Sequence, residues 1–184
     1  MKSRAIALGL VTLGTTLVFI GSTPASTQQG RIQAADRLVG TWQTTLIPIA
    51  KIRATLTTHG YTAKQIDNYL HTNNHFVKGE TIRIRFYRDN GVPFQIVYAW
   101  DPTNSTLPDG DHGPYQVLPG SRFVARGTDP PTDTWRTTYA YTVTATQLRL
   151  RFISLVEPGL SAKQLLSDKK RPLLMSSTTF KKVG

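Results

Sequence analysis

The chain has 184 residues, 39% of them apolar, with 22 basic and 11 acidic side chains and no cysteine. That length and apolar share fit one globular domain behind a leader. The missing cysteine excludes a disulfide scaffold, a thiol nucleophile and the residue that bacterial lipoproteins acylate. The formal charge of +11 points to anionic surroundings such as lipid headgroups or wall polymers, an attraction screened beyond about 8 Å at physiological salt. No zinc, helix-turn-helix or RNA-binding motif accompanies the charge, so no nucleic-acid partner is expected.

Lys2 and Arg4 precede an apolar run from Ala5 to Ile20, and Gly21 to Ser26 supply small residues for a signal peptidase. The expected division is a signal peptide over 1–25, a polar leader over 26–35 and one domain over 36–184. The expected location is outside the cytoplasm, secreted or in the cell envelope. Removing Lys2 and Arg4 leaves 20 basic against 11 acidic residues, a charge of +9.

The domain opens with Leu38-Val39-Gly40-Thr41-Trp42. Gly40 lets the backbone turn closely where a strand begins, and the Trp42 indole is expected to close the floor beneath the interior. Thr41 to Ile47 alternates as a half-buried strand. After Pro48 the period changes: Ile49, Ile52 and Leu56 recur at helical spacing, and Gly60 is a natural stop. Thr62 and Gln65 form a capping box for a second helix with Ile66, Tyr69 and Leu70 on its buried stripe.

Glu80 to Arg88 alternates cleanly, with Ile82, Ile84 and Phe86 on one face and Arg83, Arg85 and Tyr87 on the other. Asn90-Gly91 supplies the positive φ angles of a tight hairpin, and Val92 to Trp100 returns with Phe94, Ile96, Tyr98 and Trp100 on one face. Gly113–Leu118 and Ser121–Gly127 form the next hairpin around Pro119-Gly120. Thr134–Val143 and Gln147–Leu155 form another, with Tyr139 and Tyr141 facing Leu148, Leu150 and Phe152. A capped helix follows from Ser161, and Leu173 to Val183 reads as the last strand. The fold class is therefore all-β with short helices: an up-and-down antiparallel barrel of about eight strands, with a helix pair between strands one and two. A sandwich is the alternative.

Leu38 to Trp42, continued by Gln43-Thr44-Thr45-Leu46, resembles the first strand of the calycins, the superfamily of lipocalins and fatty-acid-binding proteins. The resemblance covers roughly Asp36 to the C-terminus, and Gly40-Thr41-Trp42 and the order of elements carry it. It implies a barrel holding a small hydrophobic or lipidic molecule, with the helix pair as a lid over the mouth. The Arg-x-Tyr carboxylate site common in fatty-acid-binding proteins is missing, so no headgroup-binding residue transfers.

On this reading the cavity-lining parity is Trp42, Leu46, Ile82, Ile84, Phe86, Phe94, Ile96, Tyr139, Tyr141, Leu148, Leu150 and Phe152. The same residues would equally fill the interior, leaving a basic envelope or protein-binding module. A third reading is a cyclase or isomerase that shapes its substrate, with Tyr98, Tyr139 and Tyr141 as proton donors. Neither a Gly-x-Ser-x-Gly elbow nor a paired carboxylate points to a catalytic group. His71 and His75 are four apart without the intervening Glu of a metalloprotease, and Asp101, Asp109, Asp111 and His112 miss the calcium-loop spacing. No metal or cofactor is expected.

Overall fold

A computed structural model describes residues 35–73, 76–103, 110–127 and 135–183. The expected signal peptide and nearly all of the polar leader lie outside the described residues, as does His75.

The strands are β1 (Gly40–Gln43), β2 (Ile47–Pro48), β3 (Gly79–Asp89), β4 (Val92–Trp100), β5 (Asp111–Leu118), β6 (Arg122–Arg126), β7 (Arg136–Val143), β8 (Gln147–Val156) and β9 (Thr179–Lys182). Every pairing is antiparallel. The order runs β1-β9-β8-β7-β6-β5-β4-β3, and β1 also pairs with β3, so the sheet closes on itself. The β1 and β2 segments are one interrupted strand along β3, which gives the closed eight-stranded up-and-down barrel expected from the sequence. Closure removes both sheet edges and excludes the sandwich.

Helix α1 (Ile49–Thr58) and helix α2 (Ala63–Asp67), continued by a π-helical turn over Asn68–Asn73, lie between the first and second barrel strands. The Thr62 capping box is formed: Thr62 Oγ1 accepts from Gln65 N, and Gln65 Oε1 accepts from Thr62 N. A second helix pair, α3 (Ala162–Asp168) and α4 (Lys170–Ser176), lies between β8 and β9. Here the sequence reading is corrected: residues 173–176, read as the start of the last strand, are helical. Pro172 sits in the first turn of α4, where its missing N–H costs no intrahelical bond, and Leu174 and Met175 are buried. The last strand is only the four residues of β9.

Both helix pairs cover the same end of the barrel. Tyr61, which follows α1, donates its hydroxyl to Leu166 O of α3 at 2.6 Å, and Lys170 Nζ lies 5.3 Å from the Tyr61 ring centre. The opposite end is closed by residues 35–38 and the tight turns. Trp42 is fully buried there and donates its indole N–H to Leu38 O at 2.7 Å. Gly40 has φ +134, and a Cβ at that position would lie 2.9 Å from Lys182 Cε. The positive φ favours glycine, whereas the flexible end of Lys182 could move aside. The β3–β4 turn has Asn90 at φ 48 and Gly91 at φ 82, as the Asn-Gly pair predicts.

Above this floor the interior is filled by aromatic rings. Phe123 stacks on Tyr139 at 5.3 Å and meets Phe86 edge-on at 5.6 Å, and Phe86 meets Tyr115 at 5.1 Å. Trp42, Ile84, Leu148, Leu150 and Phe180 complete this core. Such ring pairs add about 0.5–1.5 kcal/mol each beyond burial. Phe123 sits at their centre, so Phe123→Ala is expected to cost about 3–5 kcal/mol in urea unfolding; a loss below about 1 kcal/mol would contradict this aromatic packing.

Candidate functional site

The barrel is filled at its floor and opens into a cleft toward its helical end. A cavity of about 390 Å³ lies there. Its strand wall includes Gln95 and Val97 of β4, Ala125 of β6, Thr137 and Tyr139 of β7 and Leu155 of β8; Ser167, Asp168, Arg171, Pro172 and Met175 form the helical side. Tyr69 is the contribution of the first helix pair. Among the described residues, α3 and α4 are thus the main helical wall of the cavity, whereas the resemblance implied a lid made by the first pair.

Register explains why these strand residues face inward. Phe86 pairs with Gln95 and Ile84 with Val97, so Gln95 and Val97 share the inner face of β3. Phe94 pairs with Tyr87 and Ile96 with Arg85, which places them on the outer face. On β8, Thr138 faces Ser154 while Tyr139 faces Phe152; Ile153 is an extra residue, and this bulge turns Leu155 inward opposite Thr137. The first strand has a similar irregularity: Gln43 faces Arg83, but Ile47 faces Glu80. Thr44 still donates its N–H to Ile82 O at 2.9 Å while its Oγ1, in place of a backbone carbonyl, accepts the Ile82 N–H at 3.0 Å, and the chain over 45–46 leaves the ladder. Ile47 is buried and Leu46 is exposed.

The twelve residues expected to line a cavity therefore divide. Tyr139 lines it. Trp42, Ile82, Ile84, Phe86, Tyr141, Leu148 and Leu150 are buried in the core, with Phe152 partly buried against it. Leu46, Phe94 and Ile96 are corrected to outward positions: the irregular first strand turns Leu46, and the two-residue β3–β4 turn sets the parity of the other two. Tyr98, named as a candidate proton donor, shares that outer face.

Sequence reading missed a buried polar cluster beside the cavity. Glu80, the second residue of β3, is completely buried. Tyr69 directs its hydroxyl at both carboxylate oxygens, at 2.9 and 2.7 Å. Arg171 of α4 places Nε 3.8 Å from Glu80 Oε1 and binds Asp111 Oδ2 through an outer nitrogen at 2.8 Å. That Nε is buried with no hydrogen-bond partner among the described residues. The cluster ties β3, the π-helical turn and α4 together beneath the cap. A Glu two positions before Ile82 on a clean inward parity was the available signal. Among the described residues, no group of three metal-ligating side chains converges.

Burial raises the Glu80 carboxyl to about 7, against a smaller opposing pull from Arg171 and the Tyr69 hydrogen bond. Tyr69 and Tyr139 are pushed up, chiefly by burial. The tyrosines therefore stay neutral donors while Glu80 titrates near neutrality.

Comparison with models of protein families, with curated proteins and with solved structures gives no match. The closed barrel is compatible with a calycin-like fold.

A raised carboxyl pKa favours the folded state most at low pH. Below pH 4.5 Glu80 is protonated in both states; between 4.5 and about 7 the folded chain keeps a proton that the unfolded chain has lost. Its contribution to stability is therefore lost as pH rises through that window, at up to about 1.4 kcal/mol per pH unit. Subtracting the Glu80→Gln profile from that of the wild type in urea unfolding isolates the effect. Parallel profiles from pH 4.5 to 7 would refute it.

Proposed function

We propose that the protein is an exported carrier for a small hydrophobic or lipidic molecule, seated with its apolar body along β4, β6, β7 and β8 and its polar end toward Arg171 and Tyr69. The observation carrying this reading is the cavity itself, about 390 Å³ of space, partly open to solvent, between the helices and the inner face of a barrel whose other half is packed. Pockets for small ligands fall in this size range. At about 30 Å³ for each water-sized group, it holds roughly a dozen non-hydrogen atoms, the size of a medium-chain fatty acid.

Affinity requires a polar contact. Burying about nine methylenes contributes roughly 7 kcal/mol at about 0.8 kcal/mol each, against at least about 4 kcal/mol for association. The remainder corresponds to only millimolar binding. A hydrogen bond to a charged group adds about 1.5–3 kcal/mol, and Arg171 Nε, which has no hydrogen-bond partner among the described residues, is the donor whose pairing yields most. Tyr139 supplies a second donor, since among the described residues its hydroxyl meets only the Met175 sulfur at 3.7 Å. An oxygen acceptor at the head of the ligand suits both.

Native mass spectra of the protein isolated from its own cells, before and after organic extraction, test this reading. The expected result is loss of one to a few hundred daltons and displacement of a fluorescent fatty probe by medium-chain lipids. Ala125→Leu narrows the cavity and is expected to weaken that displacement about tenfold, equivalent to about 1.4 kcal/mol. No extractable mass and no displacement by any lipid class would defeat the reading.

Export rests on Lys2, Arg4, the apolar run and the small residues before Ser26. The secreted chain is expected to begin at Ser26 on N-terminal sequencing. An intact Met1 on the extracellular protein would contradict a cleaved signal.

A further inference from the structure

The outer wall of the barrel carries a belt of cations unrelated to the cavity. Arg83 and Arg85 point outward from β3, Lys181 from β9, and Arg149 and Arg151 from β8, as their cross-strand registers require. Arg136 continues the belt on β7, and Arg126 and Arg122 on β6. It spans six consecutive strands of the closed sheet, β3-β1-β9-β8-β7-β6. Among the described residues none of these cations makes an ion pair. Asp89, at the turn end of β3, is the one acid among them on an outward strand position. The other described acids lie at the floor, on the helices, around the cavity or in the loop after β4.

Arg126 and Arg136 are direct cross-strand partners. Like charges in that position destabilise a sheet, and the belt retains them. With strands about 4.8 Å apart and alternate residues about 6.8 Å apart, most neighbouring cations in the belt sit roughly 5–10 Å from one another along the backbone.

We propose that this belt binds a flexible linear polyanion of repeating phosphate groups, without bases, wrapped partly around the barrel. Curvature favours a chain over a membrane, because a flat bilayer touches only a minority of six strands on a closed barrel. The aromatic groups favour a polymer without bases. Stacking of bases needs free ring faces, but Trp100 is 9% exposed beneath Arg83, and Arg85 lies over Tyr87 with its guanidinium carbon 5.5 Å from the ring centre.

The test uses labelled inorganic polyphosphate, phosphatidylglycerol vesicles and single-stranded oligothymidine with the full-length secreted protein. Polyphosphate is expected to bind tightest, and engagement of about six cations weakens that binding roughly 300-fold between 50 and 200 mM salt. Arg126→Gln/Arg136→Gln/Arg149→Gln/Arg151→Gln is expected to lower the salt slope by about 3. A control of equal net charge, Lys51→Gln/Lys64→Gln/Lys78→Gln/Lys169→Gln, is expected to keep the wild-type slope. The double variant Arg149→Gln/Arg151→Gln lowers the slope by about 1.4 and carries the test alone should the quadruple variant fail to fold. Equal losses in belt and control variants, tighter binding to vesicles or to oligothymidine, or no salt-dependent binding of polyphosphate would each overturn the proposal.

Discussion

The structure depends on the closure of the sheet by one short strand. β1 has four residues, yet it pairs with β3 on one side and β9 on the other. Without it the sheet has two open edges. Trp42 sits in the middle of this strand, fully buried, with its indole N–H satisfied by Leu38. One side chain thus closes the floor and holds the closing strand in place, and Gly40 supplies the positive φ at which that strand begins.

Closure at eight strands leaves an interior that side chains can fill. Here the large aromatic rings of β3, β5, β6 and β7 fill the floor half. Smaller residues, Val97, Ala125 and Thr137, occupy the inner face nearer the helices and leave space. The cap over that space is tied down by polar contacts: Tyr61 joins the two helix pairs, and Tyr69 and Arg171 bring one element of each pair to the buried Glu80. A buried carboxylate held this way is costly to ionise, which couples the cap to pH in the physiological range.

Much of the fold was legible because local signals agreed. The Thr62 and Ser161 capping boxes, Asn90-Gly91 and the alternation of Glu80 to Arg88 all formed as read. The candidate site was less legible. β4 is apolar on both faces, so choosing the larger residues selected Phe94 and Ile96, although a two-residue turn at Asn90-Gly91 already places Phe86 opposite Gln95. The bulge that turns Leu155 inward leaves no composition cue. The run Pro172-Leu173-Leu174-Met175 is too short for periodicity to separate strand from helix, and that ambiguity concealed the element bearing Arg171.

The most direct measurement is methyl NMR of the folded protein titrated with a medium-chain fatty acid. Binding in the helix-capped cavity predicts shifts and contacts to the ligand at Val97, Ala125, Leu155 and Met175, with Leu148 and Leu150 in the packed half unmoved. Shifts at Leu148 and Leu150 instead, or none at saturating ligand, would contradict a half-filled barrel that carries a small hydrophobic molecule.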